Sequence, residues 1–365
     1  MADNKGRRTE AEAMAEQLAA YFLEKGLYED VGASIESSLI KPAAASREVI
    51  PAGELQTAFA GLAVRGVGYG AVDSGDEPNT VFIYVTRSSR KKEKALLSEF
   101  GGQIRLEKVG RVSVRPELAA SATNYGNTWR NGTRTACGSS IGVAGEQSAG
   151  TLGALLFGPD GDLYCLSNNH VIGGCNHTPR GQPILSPSTI DVRPGGPGVE
   201  QIALFERLDE LRSGDIAHVP TQTIDAAVGK IQEVDLVSSS QGELFDTPPD
   251  ARAPLLAEPV MKVGRTTAFT QGLIESRIPV LLPLPYRAKK FTATVNFANV
   301  WTVVSADNSP FALPGDSGSL VVTQDGKFAV GLLFAVSSDG YRAWIAPMDV
   351  VLAALPQFFL AAGLS

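Results

Sequence analysis

The sequence predicts a mainly β protein in which a small α/β domain with an N-terminal helix precedes an all-β domain. Beyond residue 137, short apolar runs alternate with Gly, Pro and Asp, as in β-barrels and sandwiches. Before it, an apolar run at 81–86 leads into a charged stretch and further apolar runs, which indicates a β-α-β unit. We therefore predict an α/β domain over 1–121, a Gly- and Asn-rich linker over 122–136, and a β domain over 137–365.

The first predicted element is a helix over residues 9–28. Thr9 and Glu12 have the spacing of a capping box, and apolar residues recur every four positions from Met14. We expect this apolar face to pack on its own domain. Self-association or partner binding through the helix is the alternative.

The rest of the N-terminal domain reads as alternating strands and one helix. The predicted strands cover 58–72, 81–86, 103–109 and 112–114, and the helix covers 89–99. Glycines 66, 68 and 70 resemble a phosphate-binding loop only superficially, since neither a strand–GxGxxG–helix arrangement nor a P-loop lysine accompanies them. We expect no cofactor.

The overall charge and the N-terminus restrict the possible partners and location. The 365 residues carry a formal net charge of −7, which argues against nucleic acid or an anionic membrane as partner. The N-terminus lacks the apolar core of a secretory signal, and no apolar stretch is long enough to span a bilayer. Three cysteines do not make a disulfide scaffold. We expect a cytoplasmic protein.

The motif Gly315-Asp316-Ser317-Gly318 is the strongest functional signal in the chain. A serine hydroxyl becomes an effective nucleophile only beside a base that is itself oriented by an acid. Glycines beside such a serine let backbone N–H groups face a developing oxyanion. His170, in Ser-Asn-Asn-His-Val-Ile, ends an apolar run upstream and is the candidate base.

Two aspartates between these motifs could orient the histidine. Asp225 begins the apolar run Ile-Asp-Ala-Ala-Val, whose strand continues to residue 231. Asp215 follows a turn-forming glycine, which is more typical of a loop acid. We prefer Asp225, and Asp215 stays open as the rival.

His170, Asp225 and Gly-Asp-Ser317-Gly, in this order, resemble the chymotrypsin-like serine proteases over residues 137–360. The motifs at 149–154, 166–171 and 223–227 are similar to those of intracellular bacterial trypsin-like proteins and plant Narrow-leaf-type proteases. The resemblance implies two six-stranded antiparallel barrels with the active site between them. It also implies an oxyanion hole formed by the N–H groups of Gly315 and Ser317.

The resemblance further implies where a substrate side chain would bind. In the family, this pocket is walled by residues just before the nucleophile motif and by the strand after it. Here these are Phe311, Ala312, Phe334 and Val336, and no acid stands among them. Because burying an unpaired cation is costly, we expect a preference for apolar or small side chains over Lys or Arg.

Two features depart from the secreted members of the family. Those carry a disulfide around the histidine, whereas Cys165 and Cys175, which flank His170, are expected to be free thiols in a reducing compartment. A zinc site with His177 would lack a fourth ligand, so we expect no metal. Secreted members also pair the Asp before the nucleophile with a freed N-terminus. We expect Asp316 to find another partner without cleavage of the linker.

These observations predict a serine endopeptidase acting on protein or peptide substrates, with an N-terminal module for regulation or assembly that could form homo-oligomers. A pseudoprotease that only binds proteins is the alternative. An α/β-hydrolase is disfavoured, because Ser319 replaces its second glycine and no histidine follows Ser317. The run Gly-Arg-Thr-Thr at 264–267 is expected to form a tight strand bend with its polar groups bonded to the backbone.

Overall fold

The computed structural model describes residues 9–29, 59–71, 77–112, 114, 117–118, 125–214 and 219–364. The rival acid Asp215 and residues 122–124 of the predicted linker lie outside these residues. No helix in the described ranges is both long and apolar enough to cross a membrane.

The described residues of the N-terminal part form two helices and three strands. They are α1 (Glu10–Glu24), β1 (Val64–Gly70), β2 (Thr80–Val85), α2 (Arg90–Phe100) and β3 (Ile104–Lys108). The hydroxyl of Thr9 accepts a hydrogen bond from the N–H of Glu12 and caps α1. Strands β2 and β3 run parallel, with α2 as the crossover between them. The apolar face of α1 is buried against β1 and β2 in the core of this part, so it is not a free surface.

The three alternate glycines of β1 have a packing role. Tyr69 of β1 pairs with Arg277, which belongs to a strand of the C-terminal barrel described below. A Cβ at Gly70 would lie 2.0 Å from the carbonyl oxygen of Glu275, and one at Gly68 would lie 2.6 Å from Oγ of Ser276. The glycines therefore let the N-terminal sheet approach the barrel closely, which explains their spacing without a phosphate ligand.

Between residues 117 and 251, the described part of the chain forms thirteen short strands. They are β4 (Glu117–Leu118), β5 (Arg130–Asn131), β6 (Arg134–Cys137), β7 (Ser140–Val143), β8 (Ser148–Thr151), β9 (Ala154–Phe157), β10 (Leu163–Ser167), β11 (Pro183–Ser186), β12 (Glu200–Leu208), β13 (Ala227–Ile231), β14 (Val237–Gln241), β15 (Phe245–Asp246) and β16 (Asp250–Ala251). Eight of them and the C-terminal β25 (Phe359–Leu360) form one sheet in the order β25-β9-β10-β13-β12-β11-β7-β8-β4.

The C-terminal region forms a closed barrel. Its elements are β17 (Pro259–Gly264), β18 (Ala268–Ile278), β19 (Leu282–Ala288), β20 (Phe291–Phe297), β21 (Val300–Ser305), β22 (Leu320–Thr323), β23 (Phe328–Val336), β24 (Arg342–Pro347), α3 (Met348–Ala354) and β25 (Phe359–Leu360). Six strands pair in the order β17-β22-β23-β24-β21-β18, and β18 pairs back with β17. Strands β19 and β20 form a separate hairpin. The protein is thus mainly β, with a closed six-stranded barrel.

Candidate active site

His170 and Asp225 project from the paired ends of two neighbouring strands. Ser167, the last residue of β10, lies opposite Ala227, the first residue of β13. His170 sits three residues beyond this pair, in one turn of π-helix over Asn169–Gly173, and Asp225 sits two residues before it. The amide of Asn168 donates to the carbonyl of Asp225 at 2.6 Å and holds the two segments together.

The carboxylate of Asp225 fixes the orientation of the imidazole. Oδ2 of Asp225 lies 2.5 Å from Nδ1 of His170, and Oδ1 accepts the backbone N–H of His170 at 3.2 Å. Both side chains are fully buried. Because a carboxylate can only accept, Nδ1 carries the proton and the lone pair of the ring is on Nε2. Nε2 makes no hydrogen bond to any described residue, which leaves it available as a base.

Tyr286 also contacts this pair, and no motif in the sequence points to it. Its hydroxyl donates to Oδ2 of Asp225 at 2.8 Å, and its ring packs edge-on against His170 with 5.9 Å between centroids. Burial and the Asp225 charge raise the pKa of Tyr286 well above its ordinary value, so the phenol remains a donor. Tyr286 comes from the β19–β20 hairpin, and so that hairpin is part of the site.

Ser317 lies in the loop of residues 306–319 before β22, which we call the serine loop. This loop is hydrogen-bonded to the nine-stranded sheet. Thr151, at the end of β8, donates its N–H to the carbonyl of Ser317 at 2.8 Å and its hydroxyl to the carbonyl of Gly315 at 2.9 Å. Ser317 itself is half-buried and makes no hydrogen bond to His170. Gly150 lies between this loop and the residue after His170, since a Cβ there would lie 2.5 Å from Val171 and 3.0 Å from the carbonyl of Ser317.

The backbone of the loop leaves two N–H groups free. Among the described residues, the N–H groups of Gly315 and Ser317 donate no hydrogen bond, whereas the N–H groups of Asp316 and Gly318 are bonded to backbone carbonyls. Gly315 has φ +98°, and a Cβ there would lie 2.3 Å from the guanidinium of Arg265. Two unpaired N–H groups, one on each side of Asp316, are the kind of donor set that an oxyanion requires.

The carboxylate of Asp316 is buried, and its hydrogen-bond partners come from the same chain. Its two carboxylate oxygens accept the N–H groups of Leu313, Thr266 and Thr267 at 2.8–3.1 Å. Oδ2 also accepts the hydroxyl of Thr267 and lies 3.7 Å from Nζ of Lys262, which is fully buried. Asp316 therefore has an internal cation as partner.

The predicted bend at 264–267 is confirmed as the turn between β17 and β18. Beyond the predicted backbone bonds, it carries a buried ion pair, in which the guanidinium of Arg265 lies 2.6 and 2.7 Å from the carboxylate of Asp191. The turn thus contacts the serine loop at two places. The guanidinium of Arg265 lies next to Gly315, and the hydroxyl of Thr267 donates a hydrogen bond to Asp316.

The predicted substrate pocket is not an open cleft in the structure. Phe311, Ala312 and Phe334 are fully buried, and only Val336 is half-exposed. Phe311 belongs to the interior of the barrel, and Phe334 stacks on Phe297 with 4.7 Å between ring centroids. Seven successive residues of β23, including Phe334, are buried on both faces of the strand. The assignment of these residues to a substrate pocket remains a prediction.

The three cysteines are free and buried, and Cys137 shares a core cluster with Cys165. Cys165 packs in the core of the nine-stranded sheet, whereas Cys175 belongs to the core cluster around Tyr286. Burial raises the pKa of Cys165 to about 12 and also raises that of Cys175. No group of three possible metal ligands lies together in the part of the chain that the structure describes.

Replacing Gly318 with Ala should damage the serine loop. Gly318 has φ +95°, and a Cβ would lie 2.3 Å from Oγ of Ser167 and 2.4 Å from the carbonyl oxygen of Thr151. Gly326→Ala is the matched control, because its φ is +70° but the nearest atom lies 3.9 Å away. Both should lose about 1–2 kcal/mol of unfolding free energy through backbone strain, and Gly318→Ala about 1–3 kcal/mol more through the clash. Urea unfolding measures both, and equal losses would contradict the close packing described for this loop.

No family of known protein sequences matches the chain, and no curated protein is similar to it in sequence. Solved structures of chymotrypsin-like serine proteases are similar to it. A Nocardiopsis protease shares 19% identity over 61% of this chain and 97% of its own, with a TM-score of 0.41. Thermobifida fusca protease A shares 16% over 62% and 100%, with a TM-score of 0.40. A Cellulomonas bogoriensis chymotrypsin shares 17% over 62% and 97%, with a TM-score of 0.38.

Proposed function

We propose that the protein is a serine endopeptidase in which Ser317 forms the acyl-enzyme, His170 moves the proton and Asp225 orients the imidazole. The observation that carries this proposal is the buried His170–Asp225 pair, which puts the proton on Nδ1 and leaves Nε2 as a base. Attack of Ser317 Oγ on a peptide carbonyl would transfer the hydroxyl proton to Nε2. The proton would then pass to the leaving amine, and water would release the acyl group by the same route.

The free N–H groups of Gly315 and Ser317 support the same reaction. As the carbonyl becomes tetrahedral, its oxygen gains negative charge, and two fixed donors stabilise this charge without reorganisation. The missing hydrogen bond between Ser317 and His170 is compatible with this role, since such bonds often tighten only when substrate is bound. We propose that the nine-stranded sheet and the closed barrel correspond to the two halves of a double-barrel protease.

Labelling with a fluorophosphonate tests the proposal directly. The reagent should label the full chain at Ser317, and Ser317→Ala should remove the label while preserving the fold measured by circular dichroism. Ser319→Ala is the matched control, because Ser319 lies two residues away with its hydroxyl bonded to the carbonyl of Asp316, and it should stay labelled. A folded wild type that binds peptide but takes no label would favour the pseudoprotease, a module that binds proteins without cleaving them.

A preference for apolar or small side chains at the cleavage site, an intracellular location and self-association through the N-terminal region remain predictions. The preference rests on the absence of an acid among residues 311–314, since Asp316 is engaged by Lys262. Free cysteines are consistent with a reducing compartment. Cleavage of a peptide library and sedimentation of the full chain would measure the preference and the self-association.

A further inference from the structure

A cavity of about 890 Å³ adjoins the candidate base. Its walls include His170 and Val171 on one side and the tip of the β19–β20 hairpin on the other. The hairpin is fixed relative to the base, because Tyr286 bonds Asp225 and packs on His170. A chain that binds in this cavity would therefore be held in a defined position beside His170, whose Nε2 is itself buried.

The hairpin tip gives this cavity a strongly positive wall. Arg287, Lys289 and Lys290 are exposed, line the cavity and form no ion pair with any described residue. The opposing wall carries one carboxylate, Glu146, and two further titratable groups, His170 and His177. Nδ1 of His177 donates to the carbonyl of Cys175. Three unpaired cations within four residues stand out in a chain whose net charge is −7.

We propose that this wall selects peptides with acidic side chains in the segment that enters the cavity. The inference rests on the proposed peptidase function and names its substrate class. Adjacent like charges repel one another, and an acidic peptide would relieve that repulsion while being drawn towards the cleft. Exposed cations act mainly on encounter and ground-state binding, so the effect should appear in KM more than in kcat.

Binding to an inactive variant tests this preference independently of catalysis. A fluorescein-labelled Glu-rich peptide and its Gln counterpart would be titrated against full-length Ser317→Ala and followed by anisotropy. We expect the acidic peptide to bind about tenfold more tightly at low ionic strength, with the difference shrinking as salt is added. Adding R287Q, K289Q and K290Q together should abolish the difference.

The control removes the same charge elsewhere. R90Q, K91Q and K94Q together take three exposed cations from α2, away from the cavity, and should preserve the preference. Equal binding of the two peptides, or equal losses in the two triple variants, would overturn the proposal. Because fluorophosphonate labelling of the wild type is scored separately, failure of this preference is distinguishable from failure of the peptidase proposal.

An independent observation concerns the chain between β3 and the nine-stranded sheet. We call the described residues 109–112, 114 and 117–118 the crossing segment. The carbonyl of Val109 accepts the N–H of Ser338 at 3.0 Å, and β4 pairs with β8. Between these points, Val114 donates to Pro285 at 2.9 Å and accepts from Arg287 at 3.0 Å, so it flanks Tyr286.

The three contacts of the crossing segment, at Val109, at Val114 and at β4, each lie next to one part of the candidate site. Tyr286 touches His170 and Asp225, and β8 ends at Thr151, which bonds the carbonyl of Ser317. Ser338 follows β23, which receives the N–H of Gly318. The segment binds through its backbone to strand residues, as an extended peptide does. His170 is also fully buried, so a substrate cannot reach Nε2 in this arrangement.

We infer that the crossing segment is an internal occupant of the substrate cleft and holds the proposed peptidase in a closed state. Substrate could then bind only after the crossing segment is displaced. The apparent affinity would be the intrinsic affinity multiplied by the fraction of open molecules. The same segment belongs to the main core through Val112 and Val114, which gives the closed state its stability.

Two variants of Val114 distinguish the effect of closing the cleft from the effect of side-chain packing. Val114→Pro removes the N–H that bonds Pro285, whereas Val114→Ala removes side-chain packing and retains both backbone bonds. In the Ser317→Ala background, Val114→Pro should bind the labelled peptide at least about tenfold more tightly, and the N–H of Arg287 should lose protection from hydrogen exchange. Val114→Ala should show neither change.

A second variant covers the case in which Val114→Pro does not fold. A Cβ at Gly110 would lie 2.0 Å from Oγ of Ser338 at φ +67°, so Gly110→Ala should also loosen the segment. Unchanged or weaker peptide binding in a folded, loosened variant would overturn the closed state. Peptide binding and exchange are both read without turnover, so neither result depends on whether Ser317 is catalytic.

Discussion

Replacing Asp225 with Asn is expected to lower kcat for peptide hydrolysis by about 10⁴-fold. The carboxylate accepts from Nδ1 of His170, which keeps the lone pair on Nε2. A carboxamide can instead donate to Nδ1, and the proton of the ring would move to Nε2, where it blocks abstraction of the Ser317 proton. Steady-state kinetics with a peptide or ester substrate would measure the loss.

Asp215→Asn is the matched control, since it makes the same change in the rival acid. It should retain wild-type kcat. If Asp225→Asn stayed within tenfold of wild type while Asp215→Asn lost activity, the acid would be assigned to Asp215. Circular dichroism of both variants is needed, because Asp225 is fully buried and also receives the hydroxyl of Tyr286.

A smaller effect is expected for Tyr286→Phe. It removes one donor to Asp225 and leaves the bond from Nδ1 in place. A hydrogen bond to a charged group contributes about 1.5–3 kcal/mol, so the free energy of unfolding should fall by that amount. The proton on Nδ1 should be unaffected, and kcat should fall far less than in Asp225→Asn. Losses of equal size would indicate that Tyr286 has more than a positioning role.

The predictable parts of the site were those with local sequence signatures. Ser317 lies between glycines with an acid before it, and His170 follows an apolar strand, so both could be selected from short motifs. The capped helix at Thr9 could be predicted for the same reason. The choice of Asp225 over Asp215 depended on which acid adjoins a strand that pairs with β10, and such pairing is only weakly encoded locally.

The supporting residues could not be found because their contacts are long-range. Tyr286 lies 61 residues from Asp225 along the chain and sits in a hairpin that no motif connects to the site. Lys262 looked like one polar residue within an apolar strand, and nothing local links it to Asp316. The strand after the motif gives little local guidance for a different reason. When both faces of a strand are buried, the alternation that separates lining from core residues disappears.

Lys262 is the second position where a large effect is expected. Its ammonium is fully buried, donates to Oγ1 of Thr267 at 2.6 Å and lies 3.7 Å from Oδ2 of Asp316. Burial lowers the pKa of Lys262, and the charge of Asp316 opposes that shift. Lys262→Met would leave the Asp316 carboxylate buried without a cation, which costs about 3–5 kcal/mol of unfolding free energy.

The damage should reach the reaction as well as the stability. Asp316 precedes Ser317 directly, and its carboxylate fixes Leu313, Thr266 and Thr267 around the serine loop. An uncompensated charge there favours rearrangement of the loop, which would displace the N–H groups of Gly315 and Ser317. Since losing one such donor costs about 10²–10³ in kcat, we expect a loss of at least that size in Lys262→Met.

A double-mutant cycle distinguishes loss of the pair from loss of packing. Lys262→Met combined with Asp316→Asn removes both charges, so it should recover part of the stability lost in Lys262→Met alone. Lys230→Met is the surface control, because Lys230 pairs with Asp160 but is 35% exposed, and it should cost far less than Lys262→Met. If the double variant were as unstable as the sum of the singles, the two charges would not be coupled. The backbone N–H groups alone would then hold Asp316. Pairing with Lys262 would not explain how the serine loop keeps its place in a chain that has not been cleaved.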